Sequence, residues 1–157
     1  MTIVALMPMK AHSERVKGKN FRRLNGKPLF QWMLDALLAV PLVDRVVINT
    51  DARDLLAQHG LNDGARILIR DRRAEICGDF VSMNRVLEDD LGSVPADLYL
   101  MTHTTNPLIS SATVERAIEE YGRGVRERGA DSLFSVNRVQ SRFYRQDGSA
   151  VNHDPKN

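Results

Sequence analysis

Apolar residues fall into two kinds of pattern along the chain: short unbroken runs, and stretches where they recur every three or four positions. Ile3-Val4-Ala5-Leu6-Met7 is a continuous run of strand length ending at Pro8, as expected of a strand buried on both faces. Leu29, Phe30, Met33, Leu34, Leu37 and Leu38 recur at helical spacing, with Pro28 suited to a first turn and Pro41 ending the segment. Arg45 to Thr50 reads as a second strand, and Asp51 is placed to cap a short helix through Leu55 and Leu56 that stops near Gly60. Arg66 to Ile69 reads as a third strand. Met83, Val86, Leu87 and Leu91 mark an amphipathic helix that either Asp79 or Ser82 would cap. Leu98 to Met101 is a fourth strand, Val114, Ile118, Tyr121 and Val125 a helix begun near Ser110-Ser111, and Ser132 to Val136 a fifth strand. Strands alternating with helices predict an α/β layered fold with a mostly parallel sheet.

From Gln140 onward the pattern dissolves into polar residues, so the expectation is a single α/β domain over residues 1–157 that lacks its C-terminal part. At 157 residues, 43% hydrophobic and 27% charged, the chain is ordinary for one soluble domain with a real core. No run approaches the ~18 apolar residues of a membrane span. Met1 to Leu6 is too short, and too poor in basic residues, for a signal peptide. The single cysteine, Cys77, excludes an internal disulfide framework and fits a reducing cytoplasm. His12, His59, His103 and His153 show no metal-ligand spacing, which argues against zinc.

The charge is unevenly spread. Lys10, Arg15, Lys17, Lys19, Arg22, Arg23 and Lys27 face one acid, Glu14, within residues 10–27, so that segment carries +6 while the rest of the chain carries −4. In open α/β sheets ligands bind outside the carboxyl ends of the strands, which is where a loop leaving the first strand lies. Its cations can neutralise a phosphate chain, and Gly18 lets the backbone approach closely. A solvated charged surface is the bland alternative. A P-loop needs glycine at position 13 and Ser or Thr at 20, where the chain has Ser13 and Asn20. A dinucleotide-binding G-x-G-x-x-G also fails, because Gly18 is the only glycine before residue 26. A nucleic-acid face is disfavoured, since the cluster is confined to one loop with Phe21 its only aromatic.

Met7 to Asn20, MPMKAHSERVKGKN, resembles the opening motif of sugar cytidylyltransferases, P-x-[RK]-x-x-S-x-R-x-x-[GN]-K-N, and most closely that of the acylneuraminate branch. Asn49-Thr50-Asp51, Arg72 to Glu75 with Gly78 to Ser82, and Thr104 to Leu108 agree with it in order and spacing. The resemblance implies a three-layer Rossmann-like nucleotide-diphospho-sugar transferase fold. It also implies transfer of CMP from CTP to a nonulosonic (nine-carbon 2-keto) sugar acid with release of pyrophosphate, serving surface-glycan synthesis in a bacterial cytoplasm. Lys10 and Lys19 are then the catalytic cations, and Lys10, Ser13, Arg15, Lys19, Asn20, Arg72 and Ser82 the nucleotide contacts. Arg70 and Arg73 stand beside Arg72, so a one-residue slip would exchange them. His103, Thr105 and Asn106 match the start of the sugar pocket, with Thr102 or His103 standing where the family often has glutamine. The family uses Mg²⁺, but its metal-binding Asp-x-Asp pair, an R-T-Q segment and the dimer arm align beyond Asn157. The expectation is therefore a CTP half-site, with a homodimer only if the full-length chain is present. A nucleotide-binding fragment without catalysis and a transferase of the 3-deoxy-manno-octulosonate (Kdo) type are the alternatives.

Overall fold

The computed structural model describes residues 1–13 and 16–156. Four parallel strands form the central sheet: β1 (Ile3–Leu6), β4 (Arg45–Thr50), β5 (Ile67–Asp71) and β6 (Leu98–Met101), in the order β5-β4-β1-β6. Between β1 and helix α1 (Leu29–Leu38) lies a two-stranded hairpin, β2 (Arg23–Leu24) and β3 (Lys27–Pro28). Helices α2 (Arg53–Gln58), α3 (Met83–Ser93) and α4 (Ser111–Arg128) complete the main elements.

Strand alternation sorts the core into two layers. Ile3, Ala5, Val46, Ile48 and Ile69 point to one face of the sheet, where they meet Phe30, Met33 and Leu37 of α1, Leu56 of α2 and Val114 and Ile118 of α4. Val4, Leu6 and Val47 point to the other face, where Leu87 of α3 and Val94 cover them. Both faces being buried, the strands read as unbroken apolar runs, and three layers result. All four sheet strands run the same way, so the loops that follow Leu6, Thr50, Asp71 and Met101 gather at one edge.

Three expectations differ from what forms. Residues 132–136 are not a strand: Phe134 is 82% and Val136 75% exposed, and β6 is paired on one side only. Their local pattern suits a strand and the open edge of β6 lies beside Leu133, but among the described residues no backbone hydrogen bond joins the two, and without that ladder no strand forms. Asp51 does not cap α2; the N-cap position is Ala52, and the Asp51 carboxylate instead accepts the Ala11 amide at 2.7 Å. Ser82 sits at the N-cap position of α3 without a side-chain cap bond, and Asp79 is drawn to Lys10 instead. The hairpin is an addition: Asn25 and Gly26 both take positive φ (48° and 81°), as a tight two-residue turn requires.

Candidate functional site

A cleft of about 190 Å³ opens at the carboxyl edge of the sheet, between the loop after β1, the segment after β5 and the turn after β6. Lys10, Ser13, Lys19, Asn20 and Arg72 line it together with His103, Thr104 and Thr105. Residues separated by more than ninety positions therefore converge on one concavity, as the topology of a parallel sheet allows.

The loop after β1 is held open by specific ties. Met9 donates its amide to the Asn49 carbonyl (3.1 Å) and Ala11 to Asp51, which pins the start of the loop against the end of β4. Gly18 adopts the left-handed conformation (φ 60°) and leads into a single 3-10 turn, Lys19–Phe21, which sets Lys19 into the cleft. Asn20 is 6% exposed: its Nδ2 donates to the Lys10 carbonyl (2.9 Å) and its Oδ1 accepts the Thr104 hydroxyl (2.7 Å). Both ends of that amide are used inside the protein, so Asn20 joins the two walls of the cleft. Among the described residues, the backbone amides of Lys10, His12 and Ser13 have no intramolecular acceptor, so they are available to an anion.

The basic segment divides sharply. Lys10 and Lys19 line the cleft, and Lys10 is ion-paired with Asp79, its neighbour across the opening. Arg23 bonds the Gly26 carbonyl within its own hairpin (3.1 Å), while Lys27 pairs with Asp35 (2.5 Å) and stacks over Trp32. Lys17 and Arg22 are exposed and absent from the cleft wall. The Arg15 nucleotide contact implied by the resemblance falls outside the described residues.

The three arginines after β5 are also separated. Arg70 turns to α3, where it pairs with Asp89 (2.9 Å) and Asp90 and bonds Ser93 Oγ (2.7 Å); Arg73 also takes Asp89 (3.1 Å). Arg72 alone of the three lines the cleft. Its Nε donates to Asn49 Oδ1 (2.9 Å) and its Nη2 to the carbonyls of Asn49 (2.8 Å) and Met9 (3.2 Å). Asp90 is fully buried, and burial pushes its carboxyl pKa upward.

On the opposite wall, Thr102 donates its hydroxyl to the Leu6 carbonyl (3.1 Å) and is buried, so His103, exposed and lining the cleft, is the residue offered to a ligand. Thr105 lines the cleft; Asn106 and Ser82 do not. Thr104, Asn49 and Asp90 are the residues that sequence reasoning passed over. The Thr104 to Leu108 and Asn49-Thr50-Asp51 motifs were signals for the first two, and nothing local marks Asp90.

Among the described residues, the cleft wall offers one carboxylate. Asp79 is the carboxylate on the cleft wall and is engaged by Lys10, and among the described residues no group of three or more His, Cys, Asp or Glu is placed to hold a metal. Among the same residues no helix is long and apolar enough to cross a membrane.

The family model described as cytidylyltransferase matches residues 4–157. Over 63 residues the chain is 38% identical to the CMP-N,N'-diacetyllegionaminic acid synthase of Legionella pneumophila, covering 38% of this chain and 27% of that protein. Over 122 residues it is 29% identical to the 3-deoxy-manno-octulosonate cytidylyltransferase of Trichlorobacter lovleyi, covering 77% of this chain and 45% of that protein. The chain thus spans less than half the length of either relative. Its fold is that of the CMP:2-keto-3-deoxy-manno-octonic acid synthetase solved with CTP (TM-score 0.62, 24% identity), covering 83% of this chain and 49% of that one.

Proposed function

The chain belongs to the cytidylyltransferase family, and from that premise we propose that its cleft binds CTP as part of an enzyme that transfers CMP to a 2-keto sugar acid. The observation that carries this reading is the convergence of Lys10, Lys19, Ser13 and Arg72, with unengaged backbone amides, on one concavity at the carboxyl edge of the sheet. In the proposed reaction the anomeric hydroxyl of the sugar attacks the α-phosphorus and gives up its proton to water, the bond between the α-phosphorus and the oxygen bridging to the β-phosphate breaks, and pyrophosphate leaves with that oxygen. Negative charge builds on that leaving group, so the work left to the protein is orientation and neutralisation. Lys10 and Lys19 supply the cations. Arg72, held by three side-chain hydrogen bonds to Asn49 and Met9, is assigned to the nucleoside end, and His103 and Thr105, on the β6 side, to the sugar acid. Mg²⁺ belongs to the proposal as a companion of the triphosphate, whose oxygens it prefers; no step is routed through it.

The acceptor we propose is a sialic-acid-like nonulosonic acid, as the name of the Legionella relative suggests. A second reading, a Kdo-type acceptor, is favoured by the 122-residue match, which spans about twice as much of this chain. Dimerisation and a cytoplasmic site of action remain part of the same proposal.

The test is calorimetric titration of the chain with CTP and Mg²⁺, with ATP and GTP as controls, at two salt concentrations. Selective CTP binding that is lost in Lys19→Ala and retained in Arg23→Ala supports the reading. Equal, salt-sensitive binding of all three nucleotides reduces the cleft to an electrostatic trap and overturns it.

A further inference from the structure

Arg72 is bound on two of its three nitrogens. Nε and Nη2 are spent on Asn49 and on the Met9 carbonyl, and Nη1 has no acceptor among the described residues. A guanidinium held this way has one free corner, and because the fork is planar and rigid, the direction of that corner is set by the two bonds behind it.

The quality of that hold depends on the Asn49 side chain, which is fully buried at the carboxyl end of β4. An asparagine amide can be flipped by half a turn, exchanging a donor for an acceptor. Here the surroundings allow one orientation. Asn49 Nδ2 faces carboxylates, donating to Asp90 Oδ1 at 2.8 Å and lying 3.3 Å from Asp89 Oδ2, while Oδ1 faces the Arg72 Nε at 2.9 Å. The flipped amide would set its oxygen against the two carboxylates and its NH₂ against the guanidinium, turning attractive contacts into repulsive ones. Asp90 is in turn fixed by Arg70, which bonds the same Oδ1 and reaches Ser93. The chain Arg70–Asp90–Asn49–Arg72 thus passes from β5 to α3, back to β4 and on to the cleft wall.

We infer that Asn49 and Asp90 are positioning residues that aim the free corner of Arg72 into the cleft, and that they govern recognition of the nucleoside while leaving the hold on the phosphates to the lysines. This rests on the proposed reading of the cleft as a nucleotide site. The phosphate end is separable because Lys10 and Lys19 take no part in this chain of contacts. Asn49→Ala removes the acceptor for Nε and the donor to Asp90 together, and it leaves the lysines where they are.

The experiment is titration of the chain with CTP and, separately, with inorganic pyrophosphate, using wild type, Asn49→Ala, Arg72→Ala and the double variant. Asn49→Ala is expected to weaken CTP about tenfold, the effect of losing one bond to a charged group, with pyrophosphate affinity unchanged. In the Arg72→Ala background the same substitution should add nothing, because the residue it aims is gone. A CTP affinity unchanged by Asn49→Ala, a full further loss in the double variant, or a parallel loss of pyrophosphate binding would each overturn the inference. An Arg72→Ala protein that binds CTP as well as wild type would instead refute the nucleotide role of Arg72 itself, and the positioning role with it. If Asn49→Ala does not fold, Asn49→Ser fills part of the space and is still too short to reach Nε; the same outcomes apply to it.

Discussion

Asn20 provides the sharpest separation between a residue that touches ligand and one that shapes the cleft. Its amide joins the Lys10 carbonyl on one wall to the Thr104 hydroxyl on the other, at 2.9 and 2.7 Å, and it is almost wholly buried. Asn20→Ala removes both bonds and leaves the buried Thr104 hydroxyl and the half-buried Lys10 carbonyl without that partner. Each such loss is worth about 1–1.5 kcal/mol, so the variant should be about 2–3 kcal/mol less stable. For a domain of this size about 2–4 °C of Tm goes with each kcal/mol, giving a fall of about 5–10 °C in a thermal melt. Thr104→Val removes only one of the two bonds while keeping the side-chain volume, and it should cost about half as much. Because the two substitutions share a hydrogen bond, their effects should sum to more than the loss measured in the double variant. If Asn20 were instead a ligand contact, Asn20→Ala would weaken CTP binding and leave the melt in place. A Tm within about 1 °C of wild type would refute the bracing role.

Other substitutions probe the remaining geometry. Asp79→Asn withdraws the carboxylate that competes for Lys10, and affinity for inorganic pyrophosphate at low salt should rise about two- to fivefold in a binding titration, the scale of a partly exposed ion pair. Asp51→Ala leaves the Ala11 amide without its acceptor, so hydrogen exchange at Ala11 should quicken while the amides of Leu56 and His59, bonded within α2, keep their protection. Burial raises the Asp90 carboxyl above its ordinary 3.8, so the folded state holds that proton more tightly than the unfolded chain does. Its contribution to stability is then full below about pH 3.8 and falls as pH rises through the raised folded value. Urea denaturation across that window should show this slope in wild type and lose it in Asp90→Asn.

Most of the architecture can be read from local pattern. The runs 3–7 and 45–50 and the helical spacing of 29–38 and 114–125 all appear as elements, because burial on both faces of a sheet and on one face of a helix leaves a periodic trace. The signals that misled are those whose outcome depends on a distant partner. Ser132 to Val136 has the composition of a strand, yet among the described residues it forms no ladder with the open edge of β6 beside it. Asp51 has the composition of a cap, yet a loop amide forty positions earlier in the chain takes its carboxylate. The Asn25-Gly26 turn was legible as a hairpin signal, but it sat inside a segment whose charge drew the reading toward a loop. At the site, the motifs pick out Lys10, Lys19 and Arg72, whereas the contrast between Arg72 and its neighbours is set by strand register. Pairing of Asn49 with Arg70 across β4 and β5 turns Arg70 toward α3 and leaves Arg72, beyond the strand end, to enter the cleft.

The unsatisfied side of β6 also bears on how the chain behaves at high concentration. A row of backbone donors and acceptors lies along Leu98–Met101; Leu133 shares a pocket with Leu98, Tyr99 and Leu100, and Phe134 and Val136, which follow it in the chain, stand in water without cover. An exposed sheet edge beside a short apolar segment of high β-propensity is the arrangement from which intermolecular strand pairing starts. Charged substitutions such as Phe134→Lys and Val136→Glu, which touch no part of the cleft, should therefore raise the concentration at which light scattering first appears while nucleotide titrations stay unchanged.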